Sequence, residues 1–326
     1  MRIATSTKGL VLVGLVLCAL LAIQSLPAHA QDSEIVMRFK KLNASITWQL
    51  VDETIQMQFN TYHPQGMYII DEYIFFSAVE IIEKTEKGDN IPGGYDRTPG
   101  KGNAYLFKTD RQGNLIAQVK LGSGDIYHPG GIDYDGKHIW VPVAEYRPHS
   151  RSIIYRVDPS SMEATEVFRY KDHISGLAVN TADETLHGIS WGSRIFYTWG
   201  LNDLQQPTAT DPDLKESQAV PKSRKPNGSH YIDYQDCHYL QYSYMLCGGL
   251  NKYKNLPNLG EYALGGLDLV ELRSQQAVHQ IAVPQWVKPD LVMTNNPFFF
   301  ELMDDHLRFY FMPEDSTSKV YIFDVR

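Results

Sequence analysis

The sequence predicts an all-β protein built from five repeated four-stranded units, and three observations support this. Each unit begins with two apolar runs joined by a turn, which is the pattern of a β-hairpin. A third apolar run follows every hairpin. Aromatic residues make up 12% of the chain, with glycine and proline scattered along it, which is typical of β-rich proteins. The openings of the five units are related: His63-Pro64-Gln65-Gly66, His128-Pro129-Gly130-Gly131, His173-Ile174-Ser175-Gly176, His230-Tyr231-Ile232-Asp233 and Asn296-Pro297-Phe298-Phe299.

The hairpins follow these openings directly. In the second unit, residues 131–134 turn at Asp135-Gly136, a strong hairpin dipeptide, and residues 138–145 return. The fourth unit is predicted to run over residues 231–236, to turn near His238 and to return over residues 239–247. Third strands are predicted at 104–107, 152–157, 194–197, 267–270 and 320–323, and outer strands at 115–121, 164–170 and 277–283.

Closure of the ring depends on the N-terminal part of the chain. The fifth unit has no outer strand of its own, while residues 54–59 form an apolar segment without a partner hairpin. We expect this segment to complete the last unit, which gives a five-bladed β-propeller closed by an N-terminal strand. A sixth blade within residues 205–229, where the outer strand of the third unit is unclear, is the alternative.

Residues 1–30 have the pattern of a secretory signal peptide. Arg2 and Lys8 precede an uncharged run over residues 9–23, and Ala28-His29-Ala30 is a small-residue cleavage site. We expect a mature propeller domain over residues 31–326 that is exported, either periplasmic or secreted. The run is short for a membrane span. A net charge of −8 without basic runs argues against nucleic acid or anionic lipid as a partner. The oligomeric state stays open.

The recurring histidines predict a metal site. The first residue of each inner strand lies at one mouth of a propeller's axis, so His63, His128, His173 and His230 are expected to converge there, with Asn296 at the fifth position. Neutral imidazole is a common ligand of Fe, Zn and Cu, and open positions on such an ion would suit catalysis. The alternative is that each histidine caps the loop entering its strand.

The residues seventeen positions after each histidine are candidates to hydrogen-bond the ligating side chains and orient them. Glu80 and Glu145 are expected to accept the second N–H of His63 and His128. Cys247 occupies the same position after His230. Two cysteines in an exported chain suggest a Cys237–Cys247 disulfide, but the predicted register places Cys247 opposite His230. Both a disulfide and a thiol beside the metal therefore remain open.

This site resembles that of the carotenoid-cleavage oxygenases, in which a propeller axis holds iron through four histidines backed by glutamates. The resemblance covers the logic of the site only and implies a metal, not an oxygenase. In architecture the chain also resembles lactonase and lyase propellers and uncharacterised secreted propeller proteins. A propeller fold does not by itself define a function.

Loops on the same face are expected to form the substrate wall. Arg147 and Arg194 follow the ring in adjacent blades and are candidates to bind a carboxylate or phosphate, although each would equally suit an ion pair between blades. Asp172 is a candidate base, with a turn cap as its alternative. The glycine-rich loop over residues 83–103 is a candidate lid.

Together these features predict an enzyme that depends on a divalent transition metal and acts on a small polar molecule at the axial mouth. The reaction, whether hydrolysis, elimination or oxygenation, stays open. Two alternatives remain: a non-catalytic propeller that binds a ligand or a protein there, and a metal-free hydrolase or lyase with a ring histidine as general base.

Overall fold

The protein is a five-bladed β-propeller. The computed structural model describes residues 33–205, 209–211, 216–254, 261–288 and 290–326, so the predicted signal peptide lies outside the described residues. Each blade is an antiparallel sheet with four principal strands, and its first strand is the innermost. The predicted fold class and the blade count are confirmed.

Four blades take their strands in chain order. Blade 1 consists of His63–Ile70, Tyr73–Glu83, Lys101–Thr109 and Leu115–Leu121. Blade 2 has an interrupted inner strand, Ile126–Pro129 and Asp133–Tyr134, followed by Ile139–Glu145, Ser152–Val157 and Ala164–Tyr170. Blade 3 consists of Ile174–Asn180, Thr185–Ser190, Ile195–Gly200 and Ser223–Pro226. Blade 4 consists of Asp233–Leu240, Tyr244–Lys254, Glu261–Glu271 and Gln276–Val283.

The region proposed as a possible sixth blade contributes to two existing blades. Ser223–Pro226 is the outer strand of blade 3, and the hairpin Ala209–Asp211 with Glu216–Gln218 extends the outer edge of blade 2. A small ribbon, Trp286–Lys288 with Leu291–Val292, links blades 4 and 5. Short 3₁₀ turns complete the connections at Pro92–Gly94, Trp191–Ser193, Asp203–Gln205 and Met293–Asn295.

Blade 5 is closed by the N-terminal part of the chain, as predicted. Its own strands are Phe298–Leu302, Leu307–Phe311 and Lys319–Val325. Trp48–Leu50 and Ile55–Gln56 both pair antiparallel with Lys319–Val325. The closing segment therefore starts earlier than residue 54 and is split in two, but it covers the edge that the last blade would otherwise expose.

Apolar side chains fill the space between neighbouring blades. A separate cluster lies at each of the five interfaces, for example Phe76 and Phe107 of blade 1 against Tyr310 and Ile322 of blade 5. The helix Glu34–Lys41 begins at Ser33, whose side chain accepts a hydrogen bond from a backbone N–H of the first turn. Its buried face joins the cluster between blades 4 and 5. None of the described helices is long and apolar enough to cross a membrane.

The hairpin of blade 4 lies several residues later than predicted. The turn occupies residues 241–243, where Tyr242 adopts a positive φ of 72°. This shift places Cys237 opposite Cys247, and the two form a disulfide within the buried sheet. Of the two alternatives for Cys247, the structure has the disulfide, and the predicted thiol beside the metal is wrong. The predicted register argued against the disulfide because it started from a misplaced turn.

Candidate functional site

Three of the four predicted histidines lie together at one mouth of the axis. His63 begins the inner strand of blade 1, His128 lies in that of blade 2, and His173 directly precedes that of blade 3. They face one cavity of about 230 Å³. Its lining residues are His63, Gln65, His128, Tyr146, His173, Ser175, Trp191, Gly192, Asp233, Tyr234 and Gln235.

The inner strands touch one another below this cavity. Gly131 forms a parallel bridge with Gly176, and its N–H donates to the carbonyl of Ser175 at 2.9 Å. A Cβ atom on Gly66 would lie 2.4 Å from the backbone nitrogen of Ile132. Glycine at these positions allows backbones of different blades to approach that closely. The axial cavity therefore has a floor of packed backbone.

His128 is the most unusual side chain of the site. It is 7% exposed, and neither ring nitrogen has a hydrogen-bond partner among the described residues. Its ring stacks on Tyr146 with centroids 4.1 Å apart. Burial, and then the neighbouring His173 and His63, hold the pKa of His128 well below its ordinary value. An uncharged imidazole with two unpaired polar atoms is thus held at the cavity wall, which is costly in a native structure.

His173 is fixed in one tautomer. Its Nδ1 lies 2.8 Å from the carbonyl oxygen of Glu145, which can only accept, so Nδ1 carries the proton. The edge of the ring packs on Trp191 at a centroid distance of 4.7 Å. Burial lowers the pKa of His173 to about 4. In this neutral ring Nε2 carries the lone pair.

His63 has the same tautomer for a different reason. Its Nδ1 lies 2.7 Å from Oδ1 of Asp315, a residue of the loop before the last strand of blade 5. Asn296 donates to the same oxygen at 3.0 Å and to the carbonyl of Pro313 at 3.1 Å. Burial opposes ionisation of Asp315, but the hydrogen bond from His63 holds the pKa of this carboxyl below its ordinary value. Asn296 therefore orients Asp315 and, through it, His63.

His230 does not take the fourth ring position. In blades 1 and 3 the ring histidine precedes the hairpin turn by eight residues, and counting back from the turn of blade 4 gives Asp233. Asp233 lines the cavity, whereas His230 is exposed outside it and contacts Arg194. The mouth thus presents three imidazoles and one carboxylate rather than four imidazoles.

Arg194 anchors that carboxylate. Its guanidinium donates to Oδ1 of Asp233 at 2.7 Å and to the carbonyl of Ser229 at 3.3 Å, and a further N–H points to Nδ1 of His230. Burial raises the pKa of Asp233, and Arg194 and His230 partly offset this effect. Of the two roles predicted for Arg194, the structure shows the ion pair between blades, and this pair positions Asp233.

The remaining candidates are occupied by contacts outside the cavity. The carboxylate of Glu80 accepts from Asn103 and Tyr105, and that of Glu145 from Arg147 and Arg151, so neither backs a ring histidine. Of these two residues, only Glu145 contacts a ring histidine, and it does so through its backbone carbonyl, which accepts a hydrogen bond from His173. The sequence analysis did not identify Asp315, because this residue belongs to blade 5 and is 252 positions from His63 in the chain, so no pattern within one blade relates the two.

Asp172 and Arg147 also have structural partners. Asp172 accepts the hydroxyl of Tyr197 at 2.7 Å and the backbone N–H of His173 at 2.8 Å, so it caps the turn that presents His173. Arg147 is buried between Glu145 and the ring of Tyr95, with its guanidinium carbon 3.6 Å from the ring centroid. Neither side chain lines the cavity.

The glycine-rich loop supports the cavity wall. Tyr127 of blade 2 donates to the carbonyl of Pro99 at 2.7 Å, and the guanidinium of Arg97 lies 4.8 Å from the ring centroid of Trp191 in blade 3. The loop therefore crosses from blade 1 to blade 3. Since none of its residues lines the cavity, it packs against the wall and does not cover the opening as the predicted lid would.

The spacing of the ring bears on the metal prediction. In the described part of the chain, no three His, Cys, Asp or Glu side chains are grouped closely enough to hold a metal ion as they stand. The rings of His128 and His173 have centroids 6.1 Å apart, wider than one tetrahedral ion with bonds of about 2.1 Å would leave them. Metal ligation by these residues stays a prediction.

Comparison with known proteins gives a family and weak structural similarities. A family model described as "Family of unknown function (DUF6454)" matches residues 19–326. No curated protein matches the chain. A luciferin-regenerating enzyme is 10% identical, with a TM-score of 0.44 over 86% of this chain and 95% of the other. Hydrazine synthase of Kuenenia stuttgartiensis is 9% identical, with a TM-score of 0.38 over 80% and 58%. Similarities this low carry no inference about activity.

Proposed function

Because the chain belongs to the DUF6454 family of unknown function, we propose a function from the site itself: an exported, metal-dependent enzyme that acts on a small polar molecule in the axial cavity. The ligands would be His63, His128 and His173, with Asp233 as the fourth protein group. Fe, Zn and Cu are the metals that such a set of imidazole and carboxylate ligands suits. The disulfide between Cys237 and Cys247 favours an oxidising compartment and thus a periplasmic or secreted location.

The observation that carries this proposal is the state of His128. A buried imidazole with both nitrogens unpartnered is uncommon in folded proteins, and here it faces a cavity. A ligand that occupies one of these nitrogens would remove the cost of leaving it unpaired. The donor set around it, two further imidazoles and a carboxylate, is chemically suited to a transition-metal ion.

The two neighbouring histidines support the same conclusion. Metal-ligating histidines usually pass their second N–H to a carboxylate or a backbone carbonyl, and Asp315 and the carbonyl of Glu145 occupy these places. In its neutral form, each ring therefore keeps a lone pair on Nε2. His63 is one-third exposed, whereas His128 and His173 are buried, and metal binding would require the rings of His128 and His173 to lie closer together than the 6.1 Å at which they stand.

A bound divalent metal would supply Lewis acidity and activate a water molecule or the substrate. The protein would provide the rest. Arg194 holds Asp233 at the cavity wall, where the carboxylate could orient a hydroxyl group or accept its proton. The backbone floor and the walls of Tyr146 and Trp191 bound a cavity of about 230 Å³, a size that suits a small molecule.

Metal analysis of protein purified without a histidine tag tests the proposal. After supplementation with Fe²⁺, Zn²⁺ or Cu²⁺, we expect about one equivalent of one metal per chain, and its loss in His128→Ala and His63→Ala. His187→Ala is the matched control, because His187 is equally buried but hydrogen-bonds to Thr185 and Thr198 away from the cavity. Protein that retains no metal under any of these conditions contradicts the proposal.

The wide spacing of the ring favours a second candidate function, a metal-free hydrolase or lyase. The pair of His63 and Asp315 has the geometry of a general base whose orientation is fixed by a carboxylate. In that case Asp315→Asn would reduce turnover without any metal being involved. For the metal-dependent enzyme, the same substitution would instead weaken metal binding by roughly 10- to 100-fold.

A further inference from the structure

Three buried ionisable side chains lie on the inner strands near the floor of the axial cavity. Asp133 belongs to the inner strand of blade 2, and Asp236 and His238 belong to that of blade 4. All three are almost completely shielded from solvent, at 1% exposure each. Charged groups are buried in this way only where partners compensate the loss of hydration.

Asp236 connects blades 1 and 2 with blade 4. Its Oδ2 accepts the backbone N–H of Met67 at 2.8 Å. Its Oδ1 accepts the N–H of Ile132 at 3.1 Å and that of Cys237 at 3.1 Å. A Cβ on Gly131 would lie 2.6 Å from Oδ1 of Asp236. Only glycine at position 131 therefore leaves space for this carboxylate.

Asp133 and His238 extend these links to the other two blades. Asp133 accepts the backbone N–H of Val179 in blade 3 at 2.7 Å and that of Tyr239 in blade 4 at 3.1 Å. Nε2 of His238 lies 2.8 Å from the carbonyl oxygen of Phe298 in blade 5. The three side chains therefore bond to the backbone of the inner strands of all five blades.

The charges of the group compensate one another. Nε2 of His238 lies 3.4 Å from Asp236, and its Nδ1 lies 3.9 Å from Asp133. Burial opposes a charge on His238, but the two carboxylates outweigh it and raise the pKa of His238 above its ordinary value. An imidazolium between two carboxylates thus sits where the five inner strands meet.

We infer that Asp236 is a positioning residue for the axial site. Met67 follows His63 by four residues and Ile132 follows His128 by four, while Asp236 itself follows Asp233 by three. One carboxylate therefore sets the relative positions of the strands that present three of the four groups at the mouth. Asp133, through Val179, fixes the strand that presents the fourth, His173. The inference rests on the proposed function only for the identity of the ligand that the axial site binds.

The test is the Asp236→Asn variant, read by NMR of ¹⁵N-histidine-labelled, metal-free protein. An amide keeps the volume of the side chain, but its nitrogen cannot accept the N–H groups that one of the two carboxylate oxygens now accepts. We expect the imidazole signals of His63 and His128 to shift while those of His187 stay in place. Asp133→Asn should shift the signal of His173.

Asp268→Asn is the matched control. Asp268 is fully buried and accepts hydrogen bonds from the side chains of Tyr234, Ser229 and Gln280, but from no inner-strand N–H. It should lower thermal stability without moving the signals of His63 or His128. Unchanged ring signals in Asp236→Asn, or equal shifts in Asp268→Asn, would overturn the inference.

A measurement on the wild type covers the case in which the variants do not fold. The amides of Met67, Ile132 and Val179 should be among the slowest in the protein to exchange with deuterium, because each donates to a buried carboxylate. Fast exchange at these three amides would contradict the inference. Since none of these readouts needs a metal, a chain that binds no metal but shows the expected shifts would refute the proposed function and leave Asp236 as a positioning residue.

Discussion

Two buried histidines on the same axis differ in charge and in how many of their nitrogens are hydrogen-bonded. Burial opposes a charge on His238, near the floor of the cavity, but Asp236 and Asp133 outweigh it and raise the pKa of His238. Its Nε2 bonds to a backbone carbonyl, and its Nδ1 lies 3.9 Å from Asp133 without a hydrogen bond among the described residues. His128, at the mouth, is uncharged and both its nitrogens lack a partner among the described residues. The first environment stabilises the fold, whereas the second leaves bonding capacity unused at a cost in stability. Unused capacity of this kind indicates a binding site.

Replacing His238 should cause the largest loss of unfolding free energy among the substitutions considered. His238→Ala leaves the carboxylates of Asp133 and Asp236 buried without a counter-charge, and breaking a buried pair in this way costs about 3–5 kcal/mol. Urea unfolding should show this loss at pH 7. The same substitution at His187, whose nitrogens bond to hydroxyl groups, should cost clearly less. Equal losses would mean that the charge network contributes little.

Acid should lower the stability of the protein, and His173 at the mouth should account for part of the loss. The pKa of His173 is lowered to about 4 in the folded protein, below its value of about 6.5 in an unfolded chain. The unfolded state therefore binds more protons between these values, and stability falls as the pH drops from about 6.5 to about 4, by about 3 kcal/mol for this residue. Denaturation at several pH values measures the slope, which His173→Phe should reduce. A slope that His173→Phe leaves unchanged would place the titration elsewhere.

Replacing His128 with phenylalanine should separate stability from function. The aromatic shape and the stacking on Tyr146 are kept while two unpaired nitrogens disappear. We expect the variant to be more stable than the wild type by about 1 kcal/mol and to lose binding at the axial site. Thermal unfolding and metal titration of the same sample report the two effects. A destabilised variant would show that His128 has a structural partner.

The loop against Trp191 should give the smallest effect. Arg97→Ala removes a partly exposed cation–π contact worth about 0.5–1 kcal/mol. Global stability should change little, while the loop over residues 84–100 should become easier to cleave by protease. Arg111→Ala, a cation–π contact at the edge of Tyr310, serves as the comparison. Unchanged cleavage would show that Arg97 does not hold the loop.

The fold was accessible from the sequence because its signals are local and repeated. The dipeptide Asp135-Gly136, the alternating apolar runs and the unpaired N-terminal segment each follow from short-range chemistry. Blade 4 was placed in the wrong register for the same reason. Its turn, Gln241-Tyr242-Ser243, contains no Gly, Pro, Asn or Asp, and Tyr242 has a positive φ there, which usually favours glycine.

The site was only partly predictable because some of its contacts join blades that are distant in the chain. The recurrence of His63, His128 and His173 at one strand position is visible in the sequence, and the structure brings these three together. Asp233 was missed because the predicted turn near His238 lies eight residues after His230, whereas the turn at residues 241–243 puts Asp233 at that position. Asp315 and the role of His238 depend on contacts between blades far apart in the chain, which no pattern within one repeat contains.

The most direct test of the central claim is a crystal of the tag-free protein loaded with Zn²⁺, Fe²⁺ or Cu²⁺ and measured at the absorption edge of the metal. The account predicts an anomalous peak in the axial cavity, about 2.1 Å from Nε2 of His63 and His173, with a nitrogen of His128 completing the three ligands. A metal-loaded crystal without a peak in this cavity, or with its peak at another position on the chain, would contradict it.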